Sequence, residues 1–393
     1  MIPMVHSADI ISLPVHAPQQ HRLIFTRHVF DPANDVLADL LTPREAGESP
    51  QALVFVDDGL RQAQPQLLDQ IEAWFAAHRS QVNLAEAPVA LTGGEAGKNE
   101  FPLLHRVWSL INGAGLCRHS YILAVGGGAL LDLVGFAAAT AHRGIPLVRV
   151  PTTSLSQGDG GIGVKNGVNF FGKKNWLGTF AVPHAVVNDA EFLHHLPERE
   201  RRAGLIEAVK VGLIRHAPLF AFIETHAEAL ARFDREPFEQ VIRESARQHL
   251  EHIATAGDPF ERGSARPLDF GHWSAHKLEQ LSNFRLRHGE AVAIGMALDL
   301  IYAMRAELLP QSVGEGILRV IQQLGFALYC PELDQRDADG RRTVLAGLDE
   351  FREHMGGRLT IPMIRAPGDR FDLHEMDLAR VDAAIDELRS RHG

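Results

Sequence analysis

Cysteine is scarce in this chain of 393 residues: it has two, Cys117 and Cys330. They form neither a metal-type spacing nor a disulfide framework, which fits a reducing compartment and a cytoplasmic location. The opening stretch, MIPMVHSADIISLPVH, lacks the basic start and long apolar core of a signal peptide. No apolar run in the sequence reaches the length of a membrane span, so no membrane partner is expected. Long basic runs are missing as well. With 39 Lys and Arg against 49 Asp and Glu, the formal net charge is −10, and nucleic acid is not an expected partner. An anionic ligand would need a local cluster of Lys and Arg. There is no internal repeat and no low-complexity segment. What is present is an ordinary globular composition, 45% hydrophobic and 22% charged, at a length that suits two domains.

Apolar runs alternate with helical patterns through the first half. Strands are expected at Ala52–Val56, Val89–Thr92, Ser120–Val125 and Pro146–Val150, with helices at Gln66–Ala77 and Leu130–Thr140. This alternation predicts a parallel α/β sheet with helices on both faces, a dinucleotide-binding domain over residues 1–188. Beyond the Pro183–Leu196 boundary the texture is helical. Periodicity of 3.6 marks Pro197–His216, Phe238–Ala254, Gly271–Leu281, Gly289–Leu308 and Ser312–Leu324, with one strand candidate at Leu359–Ile364. Residues 189–393 are therefore expected to form a mainly α-helical domain.

Three groups of residues carry chemistry. Gly126-Gly127-Gly128 follows an apolar strand and opens a helix containing Asp132, an arrangement that suits a pyrophosphate at a helix N-terminus. The spacing is not G-x-G-x-x-G, and a plain tight turn explains it equally well. Asp57 and Asp58, at the end of an earlier strand, suit ribose hydroxyls or, alternatively, a helix cap. In the helical half, His272 and His276 share one helix face, His288 precedes a helix start, and Glu207 lies in the apolar stretch LIEAVKVGLI. One carboxylate and two imidazoles with an open position make a catalytic zinc pattern. Chance among 21 histidines is the bland alternative, and His105, His142, His216, His249 and His252 are read as surface or core residues. Finally, Arg143, Lys165, Lys173, Lys174 and Lys210 fall in glycine-rich or buried-looking segments. Each alone reads as a solvated charge, but together they would serve a phosphate.

At these residues the chain resembles 3-dehydroquinate synthase and its relatives, the sugar-phosphate cyclases. The resemblance runs from about Leu53 to Ile364. Its blocks are AVGGGALLDLVGFAAATAHRGIPLVRVPTTSLSQGDGGIGVKNGVN, ERERRAGLIEAVKVGLI and FGHWSAHKLE…RHGEAVAIGM. It implies that Glu207, His272 and His288 ligate zinc or cobalt. It implies NAD contacts at Glu95 and Lys98, at Gly127, Gly128 and Asp132, at Thr152 and Thr153, and at Lys174. Asp159, Lys165, Asn175 and Lys210 match substrate contacts, and Arg143 and His276 match groups near the phosphate. The Arg143 equivalent reaches in from a neighbouring subunit, which implies a homodimer.

Departures from the synthase pattern bear on the substrate. The synthase holds a carboxylate with Arg and Asn in R-x-x-x-N-x-G-H, where this chain has Ala265 and Asp269. Asp258, Glu261 and Gly263 keep the register. A family Lys falls on Glu251, and a late one falls near Arg352–His354. Asp repels a carboxylate and suits hydroxyl donors. The pattern is similar to the 2-epi-5-epi-valiolone synthase branch and to the cyclases of bacterial ebo clusters. Arg266, one position off, leaves an acid substrate open. The reading is an NAD- and metal-dependent cyclase that converts a small sugar phosphate, with sedoheptulose 7-phosphate the natural candidate, to a carbocycle with loss of phosphate. The alternatives are 3-dehydroquinate synthase itself, a metal- and NAD-dependent polyol dehydrogenase, and a non-catalytic cyclase-derived binding protein.

Overall fold

The computed structural model describes residues 19–43, 49–99, 101–171, 173–256, 260, 268–354 and 357–393, with the His354 side chain excepted. Ala265, Arg266, Asp258, Glu261, Gly263 and the N-terminal stretch through residue 18 lie outside these residues.

Among them, seven strands form one parallel sheet in the order β1-β9-β6-β5-β2-β3, with β4 also on β2. The strands are β1 (Leu23–Thr26), β2 (Gln51–Asp57), β3 (Asn83–Leu84), β4 (Val89–Leu91), β5 (Tyr121–Gly126), β6 (Leu147–Pro151) and β9 (Ala185–Asp189). β2 and β5 are continuously buried, as a sheet covered on both faces demands. Side chains alternate in direction along each strand. Val54, Val56, Leu123 and Val125 pack with Ile71 and Trp74 on one face. Leu53, Phe55, Ile122 and Ala124 pack with Leu104, Val107, Leu131 and Val134 on the other. A third core gathers the helices Glu198–Ile214, Arg235–Thr255, His272–Leu281, His288–Arg305, Gln311–Gln323 and Leu378–His392.

The chain reverses its direction of travel across the sheet between β2 and β5. After β2 it forms β3 and β4 on one side, then crosses to β5, β6 and β9 on the other. The crevice beyond the strand ends at such a switch point is where open α/β sheets bind ligands. Asp57 ends β2 there, and Gly126 ends β5. The loop after β6 is fastened closely to the helices. Ser154, just past β6, takes a hydrogen bond from the Gly204 amide at 3.0 Å. A Cβ at Gly204 would meet Ser154 Oγ at 2.7 Å, so the glycine permits the contact.

Helices and strands fall within a few residues of the sequence expectations, but an antiparallel hairpin of β7 (Lys165–Phe170) and β8 (Lys173–Phe180) was not foreseen. Its residues alternate weakly, because β7 is rich in glycine and polar residues and β8 is largely exposed. Likewise β1 is only four residues long, and the helix Phe101–Gly113 was not foreseen. In the second half, Leu359–Ile364 extends to a pair, β10 (Ile361–Ala366) and β11 (Asp369–Leu373).

Arg149, fully buried in β6, organises the glycine-rich loop that follows. Its guanidinium donates to the carbonyls of Gly161, Gly163 and Lys165 and to Asn166 Oδ1, the last at 2.6 Å. Asn166 fits only because Gly135 has no side chain: a Cβ there would lie 1.8 Å from Asn166 Oδ1. Gly135→Ala is therefore expected to destabilise the fold by about 1–3 kcal/mol through overpacking, read as a lower denaturation midpoint in urea with an unchanged slope.

Candidate metal and dinucleotide site

Three helices bring Glu207, His272 and His288 together. Glu207 sits in the middle of Glu198–Ile214, where every residue from Ala203 to Ile214 is buried. His272 opens its helix after Gly271, which adopts a left-handed conformation (φ +77°). A Cβ at Gly271 would press on Met296 N at 2.6 Å, so the turn requires glycine on both counts. His288 opens the third helix, whose start is fixed by the Glu290 carboxylate accepting from the Arg287 amide at 2.9 Å. One potential ligand atom from each of Glu207, His272 and His288 lies within 4.8 Å of the other two.

The donor set fits a divalent cation. Both Glu207 oxygens are buried, and neither accepts a well-aligned hydrogen bond. His272 Nδ1 lies 3.1 Å from the Phe270 carbonyl, and His288 Nδ1 lies 3.3 Å from Glu279 Oε2. Each ring therefore donates through Nδ1 and keeps the Nε2 lone pair for a ligand, the outer-shell pattern of zinc sites. Burial and the nearby Lys210 charge hold His272 well below the ordinary histidine range, so it is neutral. A second trio, His276, Glu279 and His288, has the same spacing. There, however, His276 is exposed, and Glu279 is already engaged by His288 and by Lys174 at 3.8 Å.

Charge around Glu207 is tightly arranged. Burial pushes its carboxyl up to about 7, against the pull of Lys210. The Lys210 ammonium contacts Glu207 directly and Asp159 at 3.3 Å. Burial works against the Lys210 cation, but Glu207 and Asp159 outweigh it and raise its pKa, with a further contribution from Asp269. Asp159 also faces His249 Nδ1 at 3.2 Å, and these cations hold it far below the carboxylate range despite burial.

The switch-point crevice holds the second group. The helix Gly128–Thr140 begins there with no side-chain cap, so its first amides are open to an anion. A Cβ at Gly128 would meet nothing within 4 Å, whereas one at Gly127 would sit 3.2 Å from Thr153. Thr152 is buried, with its amide on the Gly126 carbonyl. Asp57 acts as a cap, accepting from the Gly59 and Leu60 amides, and Asp58 binds Arg61 and Gln62. Of the two roles left open for these aspartates, the cap is the one on view. The buried Lys98 donates to Asp132 at 2.8 Å and contacts Asn175 Oδ1. Glu95 accepts from Asn169 at 3.0 Å. Asn175 and Lys174, neighbours on β8, thus link the dinucleotide crevice to Glu279 beside the cation cluster.

Not every candidate converges. His276 joins the cluster, its ring 5.4 Å from that of His272. Lys165 is exposed at the start of β7. Arg143 is exposed beyond the far end of the 13-residue Gly128 helix, about 20 Å along its axis. Within one chain it is remote from the crevice. Glu251, where the family has Lys, is half-exposed and paired with Arg247. Glu279 and Arg149 escaped the sequence reading, and His249, read there as a surface or core histidine, pairs with Asp159. Glu279 had a signal, since positions 272, 276 and 279 share one helix face. His249 and Arg149 had none beyond their residue type.

A parallel sheet with a glycine turn, joined to a helical half with a two-histidine, one-carboxylate cluster, defines a dehydroquinate synthase-like enzyme architecture. The chain belongs to the 3-dehydroquinate synthase superfamily of sugar-phosphate cyclases. Residues 88–203 match the family model for the 3-dehydroquinate synthase N-terminal region, and residues 204–341 match that for the C-terminal region. The chain is 39% identical to a 3-dehydroquinate synthase of Symbiobacterium thermophilum, over 66% of this chain and 72% of that protein. It is 34% identical to a 2-epi-5-epi-valiolone synthase of Streptomyces glaucescens, over 79% and 77%. Among solved structures, a 2-epi-5-epi-valiolone synthase from Streptomyces hygroscopicus with NAD+ and Zn2+ bound superposes with a TM-score of 0.84 at 30% identity. That match covers 97% of this chain and 99% of the other.

The Glu279–His288 pair has a titration signature. Burial opposes the Glu279 charge, but His288 and Lys174 hold its carboxyl down at about 2. A carboxyl depressed on folding stabilises the protein above its unfolded value near 4.5, and that stability is lost as pH falls toward 2. The depression corresponds to at most about 3 kcal/mol. In urea titrations of metal-free protein, Glu279→Gln is expected to be the less stable form at pH 6. The gap should close as pH drops to 3; a gap that does not narrow would contradict the pairing.

Proposed function

We propose that this protein is an NAD- and divalent-metal-dependent cyclase that converts a ketose phosphate, sedoheptulose 7-phosphate, to a carbocycle with release of phosphate. The observation that carries the substrate is Asp269, placed where a carboxylate-binding Asn is expected and close enough to contribute to the Lys210 charge balance. Asp159 lies 3.3 Å from the same Lys210 ammonium, so two carboxylates bear on it. A substrate carboxylate would be repelled there, whereas hydroxyls find acceptors. The Streptomyces structure with NAD+ and Zn2+ supports the cofactors. A second structural relative, a 2-deoxy-scyllo-inosose synthase with carbaglucose-6-phosphate, NAD+ and Co2+, shares the fold at 22% identity.

Glu207, His272 and His288 hold the metal, and the crevice at Gly127, Gly128, Asp132, Thr152 and Thr153 holds NAD. When bound, the metal would supply a Lewis acid that acidifies a ring hydroxyl, and NAD would supply an acceptor, later a donor, for the hydride of the carbon bearing that hydroxyl. The protein does the rest by position. Lys210 holds phosphate oxygens, with His276 at the mouth. Asp159 accepts a substrate hydroxyl while Lys210 and His249 keep it ionised. Lys98 and Lys174 fix Asn175 and Glu279 between the two cofactor sites. Arg143 of a second copy completes the phosphate end, because the chain's own Arg143 is out of reach. Holding the ring-opened ends close lets an intramolecular aldol close the carbocycle.

The many 3-dehydroquinate synthases among the relatives favour one second reading, the acid-phosphate substrate of that enzyme. Incubation with NAD and Zn2+ separates the two. Sedoheptulose 7-phosphate should release phosphate with no net NADH, and the seven-carbon acid phosphate should not. Turnover of the acid alone would overturn the substrate assignment, and stoichiometric NADH without phosphate would indicate a polyol dehydrogenase. Glu207→Ala should lose tight Zn2+ binding and turnover together.

A further inference from the structure

The helix that opens with His288 is apolar through its middle except for one side chain, Asp299. It is fully buried, and among the described residues no cation bears on it. A buried carboxylate without a cationic partner is costly, so it needs compensating donors. It has two, both across the helix interface. Asp299 Oδ2 accepts from the Gly271 amide at 3.0 Å, and Oδ1 accepts from Trp273 Nε1 at 2.8 Å. These residues flank His272 on either side. The same interface is close-packed: a Cβ at Gly295 would lie 2.1 Å from the Gly271 carbonyl oxygen. Asp299 lies three turns along the helix from His288. One rigid helix therefore carries a metal ligand at its start and, further along, a clamp on the turn that presents another.

We propose that Asp299 is a positioning residue for the metal centre, gripping the Gly271–Trp273 turn so that His272 is set against Glu207 and His288. The inference rests on the reading that these three residues bind the metal. Burial pushes the Asp299 carboxyl up to about 7, while both donors act to keep it ionised. In either protonation state it retains acceptor oxygens for the turn. Outer-shell groups of this kind are worth 10- to 100-fold in metal affinity, because ligands must be held to within about half an ångström.

The test is Zn2+ affinity of the full chain by competition with a chromophoric chelator, alongside the visible spectrum of the Co2+-substituted protein. Asp299→Leu removes both acceptors and should weaken Zn2+ binding about 10- to 100-fold and shift the Co2+ bands. Asp299→Asn keeps one acceptor oxygen and should fall between it and the parent. Ile301→Ala, a cavity in the same helix that leaves both hydrogen bonds to Asp299 in place, should lower Tm and leave both readouts unchanged. Should Asp299→Leu fail to fold, Asp299→Asn decides. Parent-like affinity and spectrum in a folded Asp299→Asn would overturn the proposal. So would an affinity loss in Ile301→Ala equal to that of the Asp299 variants. Glu207→Ala, measured beside them, separates the two levels. If it too binds Zn2+ normally, the metal site itself is misassigned; if it alone loses Zn2+, only the role of Asp299 fails.

Discussion

Glu207 has no water to solvate its charge. An ionised carboxylate in that position is tolerated only if cations meet it with good geometry. Lys210, one helical turn on, supplies one positive charge but is itself shared with Asp159. Carboxylates therefore outnumber fixed cations at the centre of the helical half. The two histidines that face Glu207 offer lone pairs, and a divalent ion held there, as proposed, would reconcile them. The left-handed Gly271 turn, the Glu290 cap before His288 and the Asp299 clamp can all be understood as consequences of having to deliver imidazoles to that one carboxylate.

The dinucleotide crevice is built on another principle. There the ligand-facing surface is backbone: an uncapped helix start and glycines that leave room for a pyrophosphate. Charged side chains around it neutralise one another, as Lys98 does with Asp132, so the amides remain the free donors. The two sites meet through β8. Its Lys174 and Asn175 are adjacent in sequence but look to opposite ends of the reaction centre, one to Glu279 and one to Lys98.

The sheet strands were legible because burial on both faces makes them continuous apolar runs, as at Ala52–Val56. The helices were legible through periodicity, as in the run from Ala203 to Ile214, where Glu207 and Lys210 stand out as polar residues in an apolar stretch. The hairpin β7–β8 was not, because polar residues interrupt its alternation, although Val168 and Leu177 join the core on that face of the sheet. The metal trio came from residue type and helical spacing together with family resemblance. Glu279 was harder to read because its partner His288 lies on another helix, a pairing that helical spacing does not reveal. His249 could not have been placed, since nothing local says that the long Arg235–Thr255 helix runs past Asp159.

The Ser154–Gly204 seam has a mechanical meaning. Sheet and helices touch there with no room for even a methyl group, so they cannot slide past one another at that point. A side chain larger than glycine at 204 would therefore act as a wedge, levering the loop after β6 away from the Glu198–Ile214 helix that carries Glu207.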